Sequence, residues 1–142
     1  MATSIKRYGQ QILVILAPDD ELTDPAVERL VRDMIIKCLR IEAKSYLPKR
    51  LEYLAQQLGC HYDNVRFSHS GGRWGSCSST GTISLNIALM KLPFPLIDYV
   101  IIHELCHTKQ MNHSAKFWDL VETADPSYKL HRKMLKSHSP SI

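Results

Sequence analysis

No apolar run in this chain approaches the ~18 residues that a membrane-spanning helix needs, which excludes such a span. The one early apolar run, Ile12 to Ala17, is too short for the core of a signal peptide and reads as a strand, so the expected location is the cytoplasm. Cysteines are few and scattered: Cys38, Cys60, Cys77 and Cys106 form no C-x-x-C pair and no close cluster, a spacing that favours reduced thiols. Neither sign of charge dominates. Eighteen basic and 14 acidic residues leave a formal net charge of +4 and a pI near 8.9, which permits contact with DNA or RNA without requiring it. No shift in composition marks a second domain, and 142 residues with 44% apolar content suffice to bury one core.

Gln11 to Ala17 reads as a strand, Pro18-Asp19-Asp20 as a turn, and Thr23-Asp24-Pro25 as a helix start with a cap and an N1 proline. Val27, Leu30, Val31, Met34, Ile35, Cys38 and Leu39 recur at helical spacing. The pattern resumes in Leu51, Leu54, Ala55 and Leu58 and stops at Gly59. Pro48 predicts two helices or one bent one. Val65 to Ser70 and Thr82 to Leu89 are strand candidates, the second alternating Ile83, Leu85 and Ile87 with small or polar residues. The Gly- and Ser-rich stretch from Gly71 to Gly81 makes them a β-hairpin with an irregular tip. Ser114 caps a short helix through Glu122 that turns Phe117, Leu120 and Val121 inward, and Pro126 to Ser137 is a basic amphipathic helix. The expected organisation is one domain, 1–142: a helical N-terminal half (24–59), a core (60–125) and the basic C-terminal helix (126–137).

Within that core lies His103-Glu104-Leu105-Cys106-His107, with His113 ten residues after the first histidine. Leu96, Ile97, Tyr99, Val100, Ile101, Ile102, Leu105 and Cys106 make the surrounding segment apolar almost all round, which describes a buried helix. Two histidines four apart share one helix face, so both imidazoles can reach one Zn²⁺, and Glu104 projects toward the side where a metal-bound water would lie. Buried without partners, these groups would cost about 1–3 kcal/mol each. A third ligand from His113 completes the arrangement of catalytic zinc, three protein ligands and an open position. To bring His113 back, the helix must end between Lys109 and Asn112, and Asn112 is a plausible left-handed turning residue. The spacing equals that of the metzincin pattern, but Gln110 stands where that pattern has Gly. Cys106 as a fourth ligand would close the site to water, so its expected role is packing.

The run Gly72-Arg73-Trp74-Gly75-Ser76-Cys77-Ser78, then Ile83-Ser84-Leu85-Asn86, the His103–His107 motif, Asn112-His113-Ser114 and Phe117-Trp118 together resemble the YgjP-like metallopeptidase domain, a relative of the SprT-like zincins. The resemblance is close over about 60–125, and the N-terminal part matches in general pattern, without all of the β-rich region of longer members. It implies an α+β, minimal zincin-like domain, a small β-sheet packed on a central metal-binding helix with further helices before and after. It also implies His103, His107 and His113 as zinc ligands and Glu104 as general base.

The expected activity is therefore zinc-dependent peptide hydrolysis, with a peptide or protein as partner. Two alternatives stay open: a zinc-dependent nucleotide pyrophosphatase or phosphohydrolase, and a DNA-associated SprT-like protease or adaptor. The latter would use the basic tail, Lys129, Arg132, Lys133 and Lys136, on nucleic acid. In zincins the strand beside the metal helix offers an edge to extended substrate, which makes Ser84 to Ala88, with Asn86, a candidate binding edge. Arg73 either binds a substrate anion or pairs with Asp98 or Glu122, and Trp74 either anchors the core or touches substrate. Asp119 or Glu122 is a candidate partner for a ligand imidazole, and Arg73, Tyr128, His131 and His138 are candidate donors to a tetrahedral intermediate. No feature of the sequence sets an oligomeric state.

Overall fold

The computed structural model describes residues 1–142. Strands β1 (Ser4–Tyr8) and β2 (Gln11–Ile15) pair antiparallel around Gly9, whose φ of 58° suits the tight turn. This hairpin leans on α1 (Pro25–Leu58), where Arg7 pairs with Glu42 at 3.1 Å and donates to the Met90 carbonyl at 2.7 Å. The strand expected from Gln11 is present; its partner β1 went unread, because only Ile5 and Tyr8 give it apolar character.

Helix α1 starts as expected, with the Asp24 carboxylate accepting from the Ala26 amide and Pro25 in the first turn. It is one helix, and the assignment passes straight through Pro48. The proline removes the bond to the Lys44 carbonyl, on an exposed residue that water can serve. Leu39, Ala43, Leu47 and Leu51 are fully buried on one stripe, and fixing that stripe outweighs the loss. Gly59, in the left-handed region at φ 63°, caps the helix by donating to Ala55 and Gln56 carbonyls, and Lys109 Nζ covers the Leu58 carbonyl at 3.0 Å.

The second sheet departs from the expected hairpin. Strands β3 (Asn64–Ser68) and β5 (Thr82–Asn86) are parallel, with Phe67 opposite Leu85, and the short β4 (Gly75–Cys77) lies antiparallel on the other side of β5. The order is β3-β5-β4. A two-residue period identifies a strand without naming its neighbour, and three residues inside a Gly/Ser-rich stretch carry no period at all. Central β5 buries Ile83 and Leu85 completely, so the expected binding edge at Ser84 to Ala88 is not an edge: Ser84 faces Arg66 on one side and Ser76 on the other. β5 also stops earlier than expected, at Asn86, whose side chain caps a 3-10 segment, Ile87–Lys91.

Helix α2 (Phe94–His107) then crosses the sheet, packed against β4, α1, α3 (Ala115–Ala124) and α4 (Tyr128–Leu135). It is buried on nearly every side, as its composition predicts. One apolar cluster joins the second half of α1, β5, the 3-10 segment, α2 and α3. No helix is long and apolar enough to cross a membrane.

Candidate metal centre

Helix α2 delivers His103 and His107 on adjacent turns of one face, with Nε2 atoms 3.3 Å apart. The chain then leaves the helix. Thr108 donates its hydroxyl to the Leu105 carbonyl at 2.6 Å, Gln110 N–H folds back to Cys106, and the turn returns His113 Nε2 to 3.4 Å from His103 Nε2. No non-glycine residue has positive φ, so Asn112 does not turn the chain through the left-handed region; a helix end in ordinary right-handed geometry suffices. Ser114 caps α3 directly afterwards by accepting from the Phe117 amide, which pins His113 between two helices.

With metal–nitrogen bonds of about 2.0–2.1 Å, tetrahedral ligands lie about 3.3–3.4 Å from one another, the separation of His103 Nε2 from each of the other two imidazoles. His107 Nδ1 lies 3.0 Å from the Gln110 carbonyl. A carbonyl only accepts, so Nδ1 carries the proton and Nε2 presents a lone pair to the cluster. Burial pushes the His103 imidazole down to about 4, helped by its two neighbouring histidines and Arg132, and burial also lowers His107. Uncharged imidazoles converging on one point are arranged for a cation. The three ligand atoms all lie within 4.8 Å of one another, and no Cys or acid joins them. Cys106 is buried on another side of α2, near Cys60 and Lys109.

Helix α3 holds the imidazoles from below. Phe117, fully buried, stacks on His107 with centroids 4.3 Å apart and meets His103 and His113 by its edge at 5.0 Å. Trp118 flanks His103 and His113 and stacks on Tyr128. Neither Asp119 nor Glu122 bonds a ligand; the partner that orients His107 is a backbone carbonyl, which no residue type advertises.

Glu104, 7% exposed, titrates near 7 because burial disfavours its anion, an effect that Arg73 opposes. It packs against β4 at Gly75. A Cβ there would come within 3.2 Å of Glu104 Cγ and 3.1 Å of the Ser84 carbonyl, so any larger residue would push strand and carboxyl apart by a few tenths of an ångström. Arg73, Trp74 and Gly75 line a cavity of about 400 Å³ beside His103 and Glu104, and Arg73 and Gly75 also line one of about 300 Å³ that reaches His107 and His113. Arg73 makes no ion pair; Asp98 is taken by Arg50 through two bonds of 2.7 and 2.8 Å. Trp74 is half-buried at the core margin and faces the cavity.

Asn86, expected at a substrate edge, is instead fully buried. Its amide donates to the Ser70 and Arg73 carbonyls at 2.6 and 2.9 Å, and its oxygen accepts from the Ala88 amide at 2.9 Å. All of its polar atoms are engaged, so it holds the loop that carries Arg73 and offers nothing to a ligand. Among the candidate proton donors, His131 is bonded to Asp125 at 2.6 Å, Tyr128 is stacked on Trp118, and Arg73 and His138 face the larger cavity. Sequence reading assigned no role here to Gly75, Tyr99 or Arg132. Tyr99 was within reach, since it stands four residues before His103 on the same helix face.

A family model described as YgjP-like, metallopeptidase domain, matches residues 11–138. Among solved structures, the metallopeptidase zymogen abylysin of Pyrococcus abyssi is 29% identical, with a TM-score of 0.57 over 63% of this chain and 92% of its own. The metallopeptidase zymogen jannalysin of Methanocaldococcus jannaschii, 22% identical, matches in fold with a TM-score of 0.51, over 63% of this chain and 94% of its own. No curated protein matches the chain. The α+β architecture, a small mixed sheet packed against several helices, is the zincin-like fold of these structures.

Proposed function

The chain belongs to the YgjP-like metallopeptidase domain family, and from that premise we propose that it is a zinc-dependent peptidase in which His103, His107 and His113 hold the ion and Glu104 is the general base. The observation that carries this reading is the convergence of three imidazoles, with His103 Nε2 3.3 and 3.4 Å from the Nε2 atoms of His107 and His113, and a buried carboxylate one residue from His103. Zinc bound there would act as a Lewis acid and bring the pKa of a coordinated water near 7.

Glu104 suits the proton-transfer role because it is buried beside the imidazoles and next to the cation of Arg73, and an ion held there would favour the anion that a base needs. Its carboxylate takes the proton of the attacking water and delivers it to the departing amine. Gly75 keeps β4 close enough to Glu104 that the carboxyl has little room to swing away. The outer edge of β4 is unpaired, which makes Gly75–Cys77 the place where a peptide would add as an extended strand. Arg73, held by Asn86, carries the free cation nearest Glu104 and is the donor best placed for a developing oxyanion.

The test is Glu104→Gln in zinc-loaded protein. Zinc content should stay at that of wild type while peptide hydrolysis falls by about 10²–10⁴. Retention of full peptide hydrolysis by this variant would remove Glu104 as the base.

A further inference from the structure

The two cavities that flank Glu104 differ in charge. The smaller, toward His107 and His113, has Arg73 as its one permanent cation. The larger is walled by Trp74, Tyr99 and Val100 and rimmed by Arg73, Arg132, Lys136 and His138, with Glu104 the only acid on its surface. None of these four basic groups is in an ion pair: the acids that pair elsewhere are Glu42, Asp98, Asp63 and Asp125. Arg132 is held over the Trp118 ring at 4.8 Å, which fixes its guanidinium beside the cavity. Gly75 lines both cavities, so an extended chain on the outer edge of β4 has one on each side of the site.

We propose that the larger cavity is the side-chain subsite for a substrate residue bearing a carboxylate, on the Trp74 side of the scissile bond. The inference rests on the peptidase reading of the cleft and adds to it a substrate class: acidic peptides. An apolar wall of this size accepts the methylenes of a glutamate, and the rim supplies cations that form no salt bridge with a protein carboxylate. Arginine is the residue suited to a planar carboxylate, and Arg73 and Arg132 both reach the cavity. A lysine or arginine side chain would meet like charge there, so the cavity selects by rejection as well as attraction.

The probes are blocked alanine-based hexapeptides with Glu, Gln or Lys at the fourth position, titrated against zinc-loaded Glu104→Gln protein and against metal-free wild type. The chain's two tryptophans report binding, since Trp74 lines the cavity and Trp118 underlies Arg132. The Glu peptide should bind about 10-fold tighter than the Gln peptide and more than that over Lys, and the preference should shrink between 0.05 and 0.5 M salt at about the range expected from screening. The double variant Arg132→Gln, Lys136→Glu should bring Glu and Gln peptides within about twofold. Lys136→Glu alone, on an exposed residue, should halve the preference or more if Arg132 proves necessary for folding. Equal affinity for Glu and Gln peptides overturns the proposal, as does a preference for Glu that both variants retain. Turnover of the same peptides by wild type is followed separately. Cleavage without acid preference removes the subsite and leaves the peptidase. Acid preference with no peptide cut, and hydrolysis of a nucleoside triphosphate in its place, keeps an anion site but overturns the acidic peptide as its occupant.

Discussion

Replacing Glu104 by Gln should shift the stability of the metal-free protein in the variant's favour as pH rises. The Glu104 carboxyl is 7% exposed and titrates near 7 because burial disfavours the anion, against the pull of Arg73. In the unfolded chain it titrates near 4.3. A group whose folded pKa is raised favours folding fully below its unfolded pKa, and that contribution is lost as pH rises through the folded one. At about 1.36 kcal/mol per pH unit between the two titrations, the full loss is roughly 4 kcal/mol. Between pH 5 and pH 8 it is roughly 2.5 kcal/mol, since part has already gone by pH 5. Glutamine does not titrate, so whatever constant cost its amide carries cancels in the comparison of the two pH values. Low His103 titration is common to both proteins and cancels as well. Urea unfolding of chelator-treated wild type and variant, followed by circular dichroism, should show the stability difference shift toward the variant by roughly 2.5 kcal/mol from pH 5 to pH 8, or roughly 8 °C in Tm. Zinc should narrow the shift, because a doubly charged ion beside the carboxylate stabilises the anion. A difference that is the same at both pH values would refute the burial of an ionisable carboxyl here.

His113→Ala should cut zinc affinity by more than about 100-fold in chelator competition, beyond the 10–100-fold typical of residues that only support a ligand; unchanged affinity would remove His113 from the ligand set. Gly75→Ala places a methyl 3.2 Å from Glu104 Cγ. It should retain zinc and lose about threefold to tenfold in kcat/KM, since a neighbour must give by only a few tenths of an ångström. Asn86→Ala strips two hydrogen bonds from the loop before β4 and the cap of the 3-10 segment and should destabilise by about 2–4 kcal/mol in urea unfolding, with zinc affinity little changed.

The metal helix was legible in the sequence because its information is local. His103, Glu104 and His107 lie within one and a half turns, and an apolar surround announces that the helix is buried. Helix α1 was legible at both ends, where Asp24-Pro25 and Gly59 cap it, while its middle left two helices and one bent helix open, and the structure has one. Pro48 carries a local penalty of about 3 kcal/mol, and the burial of Leu47 and Leu51 on either side of it, both fully inaccessible, decides the outcome at tertiary level. Strand pairing was misread for the converse reason. The pattern of Thr82–Asn86 marks a strand buried on one face, but parallel pairing with Asn64–Ser68 depends on where α1 sends the chain. β4, three residues long, is visible only through its partner.

That error changed the assignment of the site more than the fold class. With β5 in the centre of the sheet, the free edge passes to Gly75–Cys77, and Asn86 becomes an interior clamp. Asn86 accepts and donates around the loop, and the Asn86 amide also donates to the Trp74 carbonyl at 2.9 Å, so both Arg73 and Trp74 are tied to β5 through backbone oxygens. Arg73 is thereby kept within electrostatic reach of Glu104, lowering a pKa that burial raises. In the metal-free chain the balance between those two effects leaves the carboxyl titrating near neutral pH, and a cation held by the three imidazoles would favour its anion further. Neither effect is written in the His-Glu motif itself: one comes from the closeness of Gly75, the other from a cation whose backbone is fastened to a strand away from the metal helix.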